Sequence, residues 1–267
     1  MNKILASVRS LSVSYQEDSP QSFALKGLDL DIFTGEKLAI IGESGSGKSS
    51  FARALAGLLP DEARLEGKID WLGFGQAPLG GRDLGYVFQD PGASLNPVLT
   101  IGEQVAEGAR RHLGLSRAAS VARALELLHR VKIPQPERIL KAFPHQMSGG
   151  QRQRVAIAAA IAARPKLLIA DEVTSALDMV VQAEIVALLQ QLVTEEGMTL
   201  LFITHDIALA AQLADRILVL KEGQRVEVGL SGAVLSRPAS EYTRMLIASH
   251  LDFGSEVLVS SVIDGPL

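Results

Sequence analysis

The run Gly42-Glu43-Ser44-Gly45-Ser46-Gly47-Lys48-Ser49 constrains the fold of this chain more than any other feature. It follows a short apolar stretch, Lys37–Ile41, of the buried-strand type. It opens a segment, Lys48–Leu59, in which Phe51, Leu55, Leu58 and Leu59 share one helical face and Pro60 is expected to stop the helix. Strand, glycine-rich turn and helix in that order are the context of a phosphate-binding P-loop. Glycines let backbone N–H groups converge on phosphate oxygens without a Cβ in the way. The helix N-terminus adds favourable partial charge. Lys48 is expected to neutralise the β- and γ-phosphates, and the Ser49 hydroxyl to ligate Mg²⁺.

A second half of the site is expected far downstream. Leu167-Leu168-Ile169-Ala170-Asp171-Glu172 is an apolar strand ending in two carboxylates. Paired acids at a buried strand tip need a cation or a proton to manage them. Asp171 suits Mg²⁺ held through water, and Glu172 suits a general base that polarises the attacking water.

The rest of the chain reads as α/β. Strands are expected at Ala6–Tyr15, Leu25–Ile32, Lys68–Trp71, Leu84–Phe88, Lys166–Ala170 and Thr199–Thr204, and Arg216–Leu220 and Arg225–Val228 form a hairpin around Lys221-Glu222-Gly223. From about Thr100 to Pro165 the pattern turns helical, with candidates at Ile101–His112, Ala118–Val131, Glu137–Lys141 and Ser148–Ala163. Further helices are expected around Ile185–Leu192, at Asp206–Ala214 and at Ser240–Leu251. With 267 residues and 47% hydrophobic content the chain can build one large core, which excludes wholesale disorder. A net charge of −4 argues against a broad nucleic-acid face, and Arg110–Arg111 reads as a solvated pair. The absence of cysteine excludes disulfides, zinc–thiolate sites and cysteine-ligated iron–sulfur clusters. The longest apolar run, Val155–Ala163, has nine residues, well short of a membrane span of about 20. Ile4–Val8 is too short for the apolar part of a signal peptide, so a cytoplasmic chain is expected. His112, His129, His145 and His250 have no ligand spacing.

Met147-Ser148-Gly149-Gly150-Gln151-Arg152-Gln153-Arg154 completes a set. Ser148 can cap a helix, and two glycines leave its N–H groups open to an anion. Together with the P-loop and Asp171-Glu172, it resembles the nucleotide-binding subunits of ATP-binding cassette transporters over about residues 5–250. The resemblance implies a P-loop NTPase cassette over residues 1–253. Its parts are a RecA-like core sheet, an antiparallel β subdomain and an α-helical subdomain inserted at about 100–165, with a short tail at 254–267. It implies ATP and Mg²⁺, with each ATP held between the P-loop of one subunit and Ser148, Gly149, Gly150 and Gln151 of another. Ser50 joins the P-loop set. Tyr15 matches the aromatic that stacks on adenine, and Gln89 the glutamine that touches Mg²⁺ and water and senses the transporter. Asp178, in Ser175-Ala176-Leu177-Asp178, matches the segment that crosses to the partner site. His205, after Phe202-Ile203-Thr204, matches the switch histidine near the γ-phosphate. Two departures stand out: Met147 occupies a usual leucine position, and Val173 replaces the proline expected after Glu172, which should loosen that turn without abolishing hydrolysis.

Gln89-Asp90-Pro91-Gly92-Ala93-Ser94-Leu95-Asn96-Pro97, then Thr100-Ile101-Gly102-Glu103-Gln104, resembles the dipeptide, oligopeptide and nickel importer ATPases, as does Glu241-Tyr242-Thr243-Arg244-Met245-Leu246. Many peptide-type relatives carry a longer, cysteine-bearing C-terminal extension; about 16 residues follow Leu251 here, which inclines the expectation toward nickel or a metallophore. This branch implies two integral-membrane permeases, a second ATPase subunit, identical or homologous, and an extracytoplasmic solute-binding protein. The chain would then sit peripherally on the cytoplasmic face of the inner membrane. The helical insert and the loop after Gln89 would receive short permease helices. Soluble cassette proteins of phosphonate degradation, which act with a carbon–phosphorus lyase, are the alternative. DNA-repair cassettes insert long coiled coils, whereas the interval of about 100 residues from Lys48 to Ser148 lacks sustained heptads. Translation-factor cassettes carry two P-loops, against one here.

Overall fold

The computed structural model describes residues 3–15, 23–175 and 177–251. The tail expected at 254–267 and Ala176 lie outside the described residues, as do the side chains of Ala93, His250 and Leu251.

Two sheets organise the described chain. The larger has six strands: β3 (Lys37–Ile41), β5 (Leu84–Val87), β6 (Leu167–Asp171), β7 (Thr199–Ile203), β8 (Arg216–Lys221) and β9 (Gln224–Leu230). Their spatial order is β5-β6-β7-β3-β8-β9. All neighbours run parallel except β9, which folds back on β8. Both faces of the parallel strands are covered, so apolar residues run nearly unbroken and alternate between two cores. Leu167 and Ile169 point to one core, and Leu168 and Ala170 to the other. The smaller sheet is antiparallel, β1 (Ile4–Ser14) lying between β2 (Phe23–Phe33) and β4 (Arg64–Asp70).

Helix α1 (Lys48–Ala56) packs Phe51, Ala52 and Leu55 between the two sheets. Between β5 and β6 lie α2 (Pro91–Ser94), α3 (Ile101–His112), α4 (Arg117–Arg130), α5 (Pro136–Ile139) and α6 (Gly149–Ala160). Thr100 and Glu103 form a capping box at the start of α3, and Ser116 caps α4. Ile101, Val105, Leu127, Leu128 and Val131 join one buried cluster with Val155 of α6 and Leu168 of β6. That cluster continues through α7 (Met179–Glu196) to Leu209 and Leu213 of α8 (Ile207–Leu213). A third cluster seats α9 (Ser231–Ser236) and α10 (Glu241–Leu251) against Ala39, Ile41, Ile217 and Val219.

Several expected boundaries are corrected. Helix α1 ends at Ala56, because Gly57 adopts a left-handed conformation at φ 65 and closes the last turn on the Ala54 and Arg53 carbonyls. Leu58 therefore leaves the buried face and is 45% exposed. Strand β4 starts at Arg64, four residues before the sequence pattern suggests. It is an edge strand with no alternating apolar face, and it carries Gly67 at φ 92 against a bulge at Ser10. The short helices α2 and α9 have no sequence periodicity to announce them. Among the described residues no helix is long and apolar enough to cross a membrane.

An ion pair ties the two sheets together. Arg216 donates to Glu36 Oε1 and Oε2 at 3.2 and 2.8 Å and to the Asp31 carbonyl at 3.1 Å. Its guanidinium lies 4.8 Å from the Phe33 ring centre. The Glu36 side chain is 5% exposed, and burial raises its carboxyl above the usual carboxylate range despite the Phe33 N–H and Arg216. Arg216→Ala leaves that carboxylate without its cation and is expected to cost about 3 kcal/mol. A urea-denaturation midpoint reads the loss; an unchanged midpoint refutes it.

Candidate functional site

The site lies along the carboxyl ends of the parallel strands, where open α/β sheets place ligands. Strand register puts it there: Asp171 pairs with Ile203, and Ile203 pairs with Ile40. The tips of β6, β7 and β3 are thus level, although β7 separates the other two. The P-loop leaves β3, Asp171 ends β6, and His205 follows β7.

Within the P-loop, Gly42, Gly45 and Gly47 hold positive φ of 150, 79 and 99. A Cβ on Gly47 would stand 2.2 Å from the Ala24 carbonyl, and one on Gly42 2.2 Å from that of Leu220. Only glycine fits at either position. Glu43, Ser44 and Gly45 form the exposed crest, whereas the buried Ser46 hydroxyl has no hydrogen-bond partner among the described residues. Lys48 is 4% exposed, and its ammonium donates to the Gly42 and Glu43 carbonyls at 2.9 Å each. It lies 4.0 Å from Glu172 Oε1. Burial pushes the Lys48 ammonium below its usual range, while Glu172 and Asp171 oppose the shift.

The downstream acids meet this loop. Ser49 Oγ donates to Asp171 Oδ1 at 2.9 Å. Gln89 Nε2 donates to Glu172 Oε2 at 3.0 Å and to Ser175 Oγ at 3.4 Å. Glu172 takes the left-handed conformation, φ 47, at the strand exit. Its N–H donates to the Ile203 carbonyl, and the Ser175 N–H and hydroxyl donate to its own carbonyl. These bonds hold the turn where Val173 stands, and Val173 itself is buried at 1% exposure. His205 is exposed and lines a cavity of about 180 Å³ with Thr174, Ser175, Gln182, Thr204 and Asp206. Tyr15 donates through its hydroxyl to Ser50 Oγ at 3.0 Å, which brings the aromatic beside α1.

The remaining motif residues do not join this cluster within the chain. Ser148 and Gln151 form a capping box at the exposed start of α6, bonding each other rather than the P-loop. Met147 is buried at 6%, an apolar position that tolerates Met for Leu. Arg154 is a strut, donating to the Val131 carbonyl at 3.1 Å and to Glu184 at 2.5 Å. Asp178 is exposed and caps α7, accepting from the Val181 N–H at 3.0 Å.

Two tyrosines stand beside the site without a sequence signal that places them there, although Tyr242 lies in the C-terminal motif. Tyr86 of β5 donates to Asp171 Oδ2 at 2.7 Å, and its ring lies 4.5 Å from that of Phe88. Burial, then the Asp171 charge, pushes its phenol well above the usual range, so it stays a donor. Tyr242 of α10 accepts from the Glu43 N–H at 3.4 Å, with Lys221 Nζ 4.8 Å from its ring centre. A polar tip on an otherwise apolar strand is the one signal that could have found Tyr86.

A hydroxyl and a carboxylate, hard oxygen donors 2.9 Å apart, fit a Mg²⁺ ion that arrives with phosphates and keeps part of its water shell. Among the described residues no cluster of three or more acidic or histidine side chains could hold a metal ion.

Comparisons with known proteins converge. The family described as "ABC transporter" matches residues 25–175. The peptidoglycan transport ATP-binding protein YejF of Agrobacterium fabrum is 46% identical over 255 residues, covering 92% of this chain and 47% of that protein. The oligopeptide transport ATP-binding protein OppD of Bacillus subtilis is 42% identical, covering 92% of this chain and 71% of that protein. The chain spans about half the length of several curated relatives it matches. Among solved structures, the dimeric post-hydrolysis ATP-binding cassette MJ0796 bound to ADP and Pi superposes with a TM-score of 0.73 at 32% identity, covering 85% of this chain and 98% of that one.

Proposed function

The chain belongs to the ABC transporter family, and from that premise we propose that it is the ATP-hydrolysing subunit that energises an importer. One observation carries the reading: Asp171 accepts from Ser49 of the P-loop at 2.9 Å, and Glu172, which accepts from Gln89 at 3.0 Å, lies 4.0 Å from Lys48 of the same loop. In this proposal the backbone of Gly42, Glu43, Ser44, Gly45, Ser46, Gly47, Lys48, Ser49 and Ser50 cradles the phosphates, with the Lys48 charge on the β- and γ-groups. Tyr15 stacks on adenine. Ser49, Asp171 and Gln89 would hold Mg²⁺, which would neutralise phosphate charge. Glu172 takes the proton of the attacking water, Gln89 orients that carboxylate, and His205 reaches the γ-phosphate from the tip of β7.

Ser148, Gly149, Gly150, Gln151 and Asp178 would serve the nucleotide of a second cassette. The exposure of Ser148, Gly149 and Asp178, with Gly150 and Gln151 half-buried beside them at the start of α6, supports that assignment. The proposed cassette spans 1–253 with its helical insert at about 100–165. ATP closes the cassette pair; hydrolysis reopens it, and the rigid-body change is passed to two membrane permeases. An open groove of about 400 Å³ supports this transmission, because it joins α1, β5, α3 and α6 beside Gln89. Leu58, Phe88, Leu95 and Arg111 line it. The chain would work peripherally at the cytoplasmic membrane face, with a solute-binding protein delivering cargo outside.

The names of the relatives favour peptide-containing cargo over nickel. The inclination toward nickel rests on the tail, which lies outside the described residues, and no observation favours the phosphonate assembly. The chain, affinity-tagged in its native cell, is expected to co-purify with membrane permeases in detergent. Its loss should abolish uptake of labelled peptide and leave Ni²⁺ uptake intact. Co-purification with a soluble lyase complex instead would overturn the importer reading.

A further inference from the structure

Tyr86 belongs to none of the nucleotide motifs, yet its phenol touches the carboxylate at their centre. Asp171 is 3% exposed, and its two oxygens answer to different donors. Ser49 Oγ donates to Oδ1 at 2.9 Å, and Tyr86 OH donates to Oδ2 at 2.7 Å. The carboxylate torsion of an aspartate is broad and nearly two-fold, so one bond leaves the group free to swing. Two bonds on opposite oxygens fix its plane. The direction of the second bond is settled chemically: a carboxylate only accepts, so the phenol gives its proton to Asp171.

The backbone makes the contact reproducible. Strand β5 pairs in parallel with β6, Tyr86 opposite Ile169 and Val87 opposite Ala170. The Tyr86 ring is backed by Phe88 at 4.5 Å. Strand pairing thus places Tyr86 beside the tip of β6, and Asp171, the last residue of that strand, cannot turn without breaking a charge-assisted bond.

We propose that Tyr86 is a positioning residue that fixes the Asp171 carboxylate in the orientation needed to grip the divalent cation carried with the nucleotide. The proposal rests on the nucleotide site described above, and it adds a residue that acts through Asp171. It predicts an effect confined to the metal-bearing ligand, because metal-free ATP makes no demand on the carboxylate plane.

Tyr86→Phe keeps the ring and removes the donor. The test measures dissociation constants of a fluorescent ATP analogue for the full chain, once with excess Mg²⁺ and once with EDTA. In the wild type, Mg²⁺ should tighten binding; in Y86F the ratio of the two constants should fall about three- to tenfold, the net scale of one ordinary intramolecular hydrogen bond. The EDTA constant and the melting temperature of the nucleotide-free chain should stay near wild type. On an Asp171→Asn background the same substitution should change the ratio no further. An unchanged ratio in Y86F, an equal weakening with and without Mg²⁺, or an undiminished effect on the Asp171→Asn background overturns the proposal alone. Failure of the wild-type chain to bind the analogue under any condition overturns the nucleotide reading, and this proposal with it.

Discussion

Glu172→Gln is expected to bind MgATP within about twofold of wild type and to hydrolyse it at least 100-fold more slowly, the range in which a positioned general base contributes. The substitution is nearly isosteric. Gln89 Nε2 now donates to Glu172 Oε2 at 3.0 Å, and an amide oxygen can accept the same bond. Backbone bonds fix the turn independently of the side chain, through the Ile203 carbonyl and the Ser175 N–H. The ground-state hydrogen bonds therefore survive; what is lost is a charge 4.0 Å from the Lys48 ammonium and the basic oxygen that takes the proton of water. Only an interaction stronger in the transition state than in the ground state changes turnover without changing affinity. Cassettes that close on ATP but cannot hydrolyse it should accumulate as a closed pair, visible as a faster-eluting species in size-exclusion chromatography with MgATP. The chain assembled with its partners is the right material for the rate, since in the proposed arrangement a second cassette completes each site. Unchanged turnover there would sink the general-base assignment.

How much of this was legible in the sequence follows from how local each signal is. The P-loop glycines, Lys48 and Ser49 lie within eight consecutive residues, and their strand–turn–helix context is local too. Asp171 and Glu172 were marked by an apolar strand that ends abruptly in charge. Short apolar runs gave β3, β6 and β7, because strands buried on both faces leave no other pattern. Their order did not follow. Strand β7 sits between β6 and β3, and only that register levels Asp171 with the P-loop.

Tyr86 failed to stand out for the same reason. It meets Asp171 across 85 positions of sequence, through the pairing of β5 with β6. Tyr242 reaches Glu43 across 199 positions, after the chain has crossed the whole sheet. The end of α1 differs for another reason: Pro60 is the stronger stop signal in the sequence, whereas Gly57 reaches a left-handed cap three residues earlier. Strand β4 was cut short because an edge strand needs no apolar face, and its Gly67 fits a bulge that no periodic pattern encodes.

Lys48→Ala should raise the dissociation constant for MgATP by about 100-fold or more, equivalent to roughly 2.7 kcal/mol at two charge-assisted contacts. The geometry argues for a loss of binding rather than of folding. Lys48 Nζ is held 2.9 Å from the Gly42 and Glu43 carbonyls, so it braces the loop from within and carries its charge to the place where phosphate would lie. That charge is costly while no anion is present, for burial is the leading cause that pushes the ammonium below its usual range. Removing it relieves desolvation and loses two hydrogen bonds, effects that oppose each other in the nucleotide-free chain. The melting temperature of nucleotide-free K48A should therefore stay close to wild type, while its response to ligand collapses. At an ATP concentration of about 100 times the wild-type dissociation constant, wild type gains about 2.7 kcal/mol, whereas a variant weakened 100-fold gains about 0.4 kcal/mol. Thermal denaturation with and without MgATP reads both quantities in one experiment. Equal ligand stabilisation in the two proteins would refute the phosphate role of Lys48, and a large drop in the nucleotide-free melting temperature would assign the residue to folding instead.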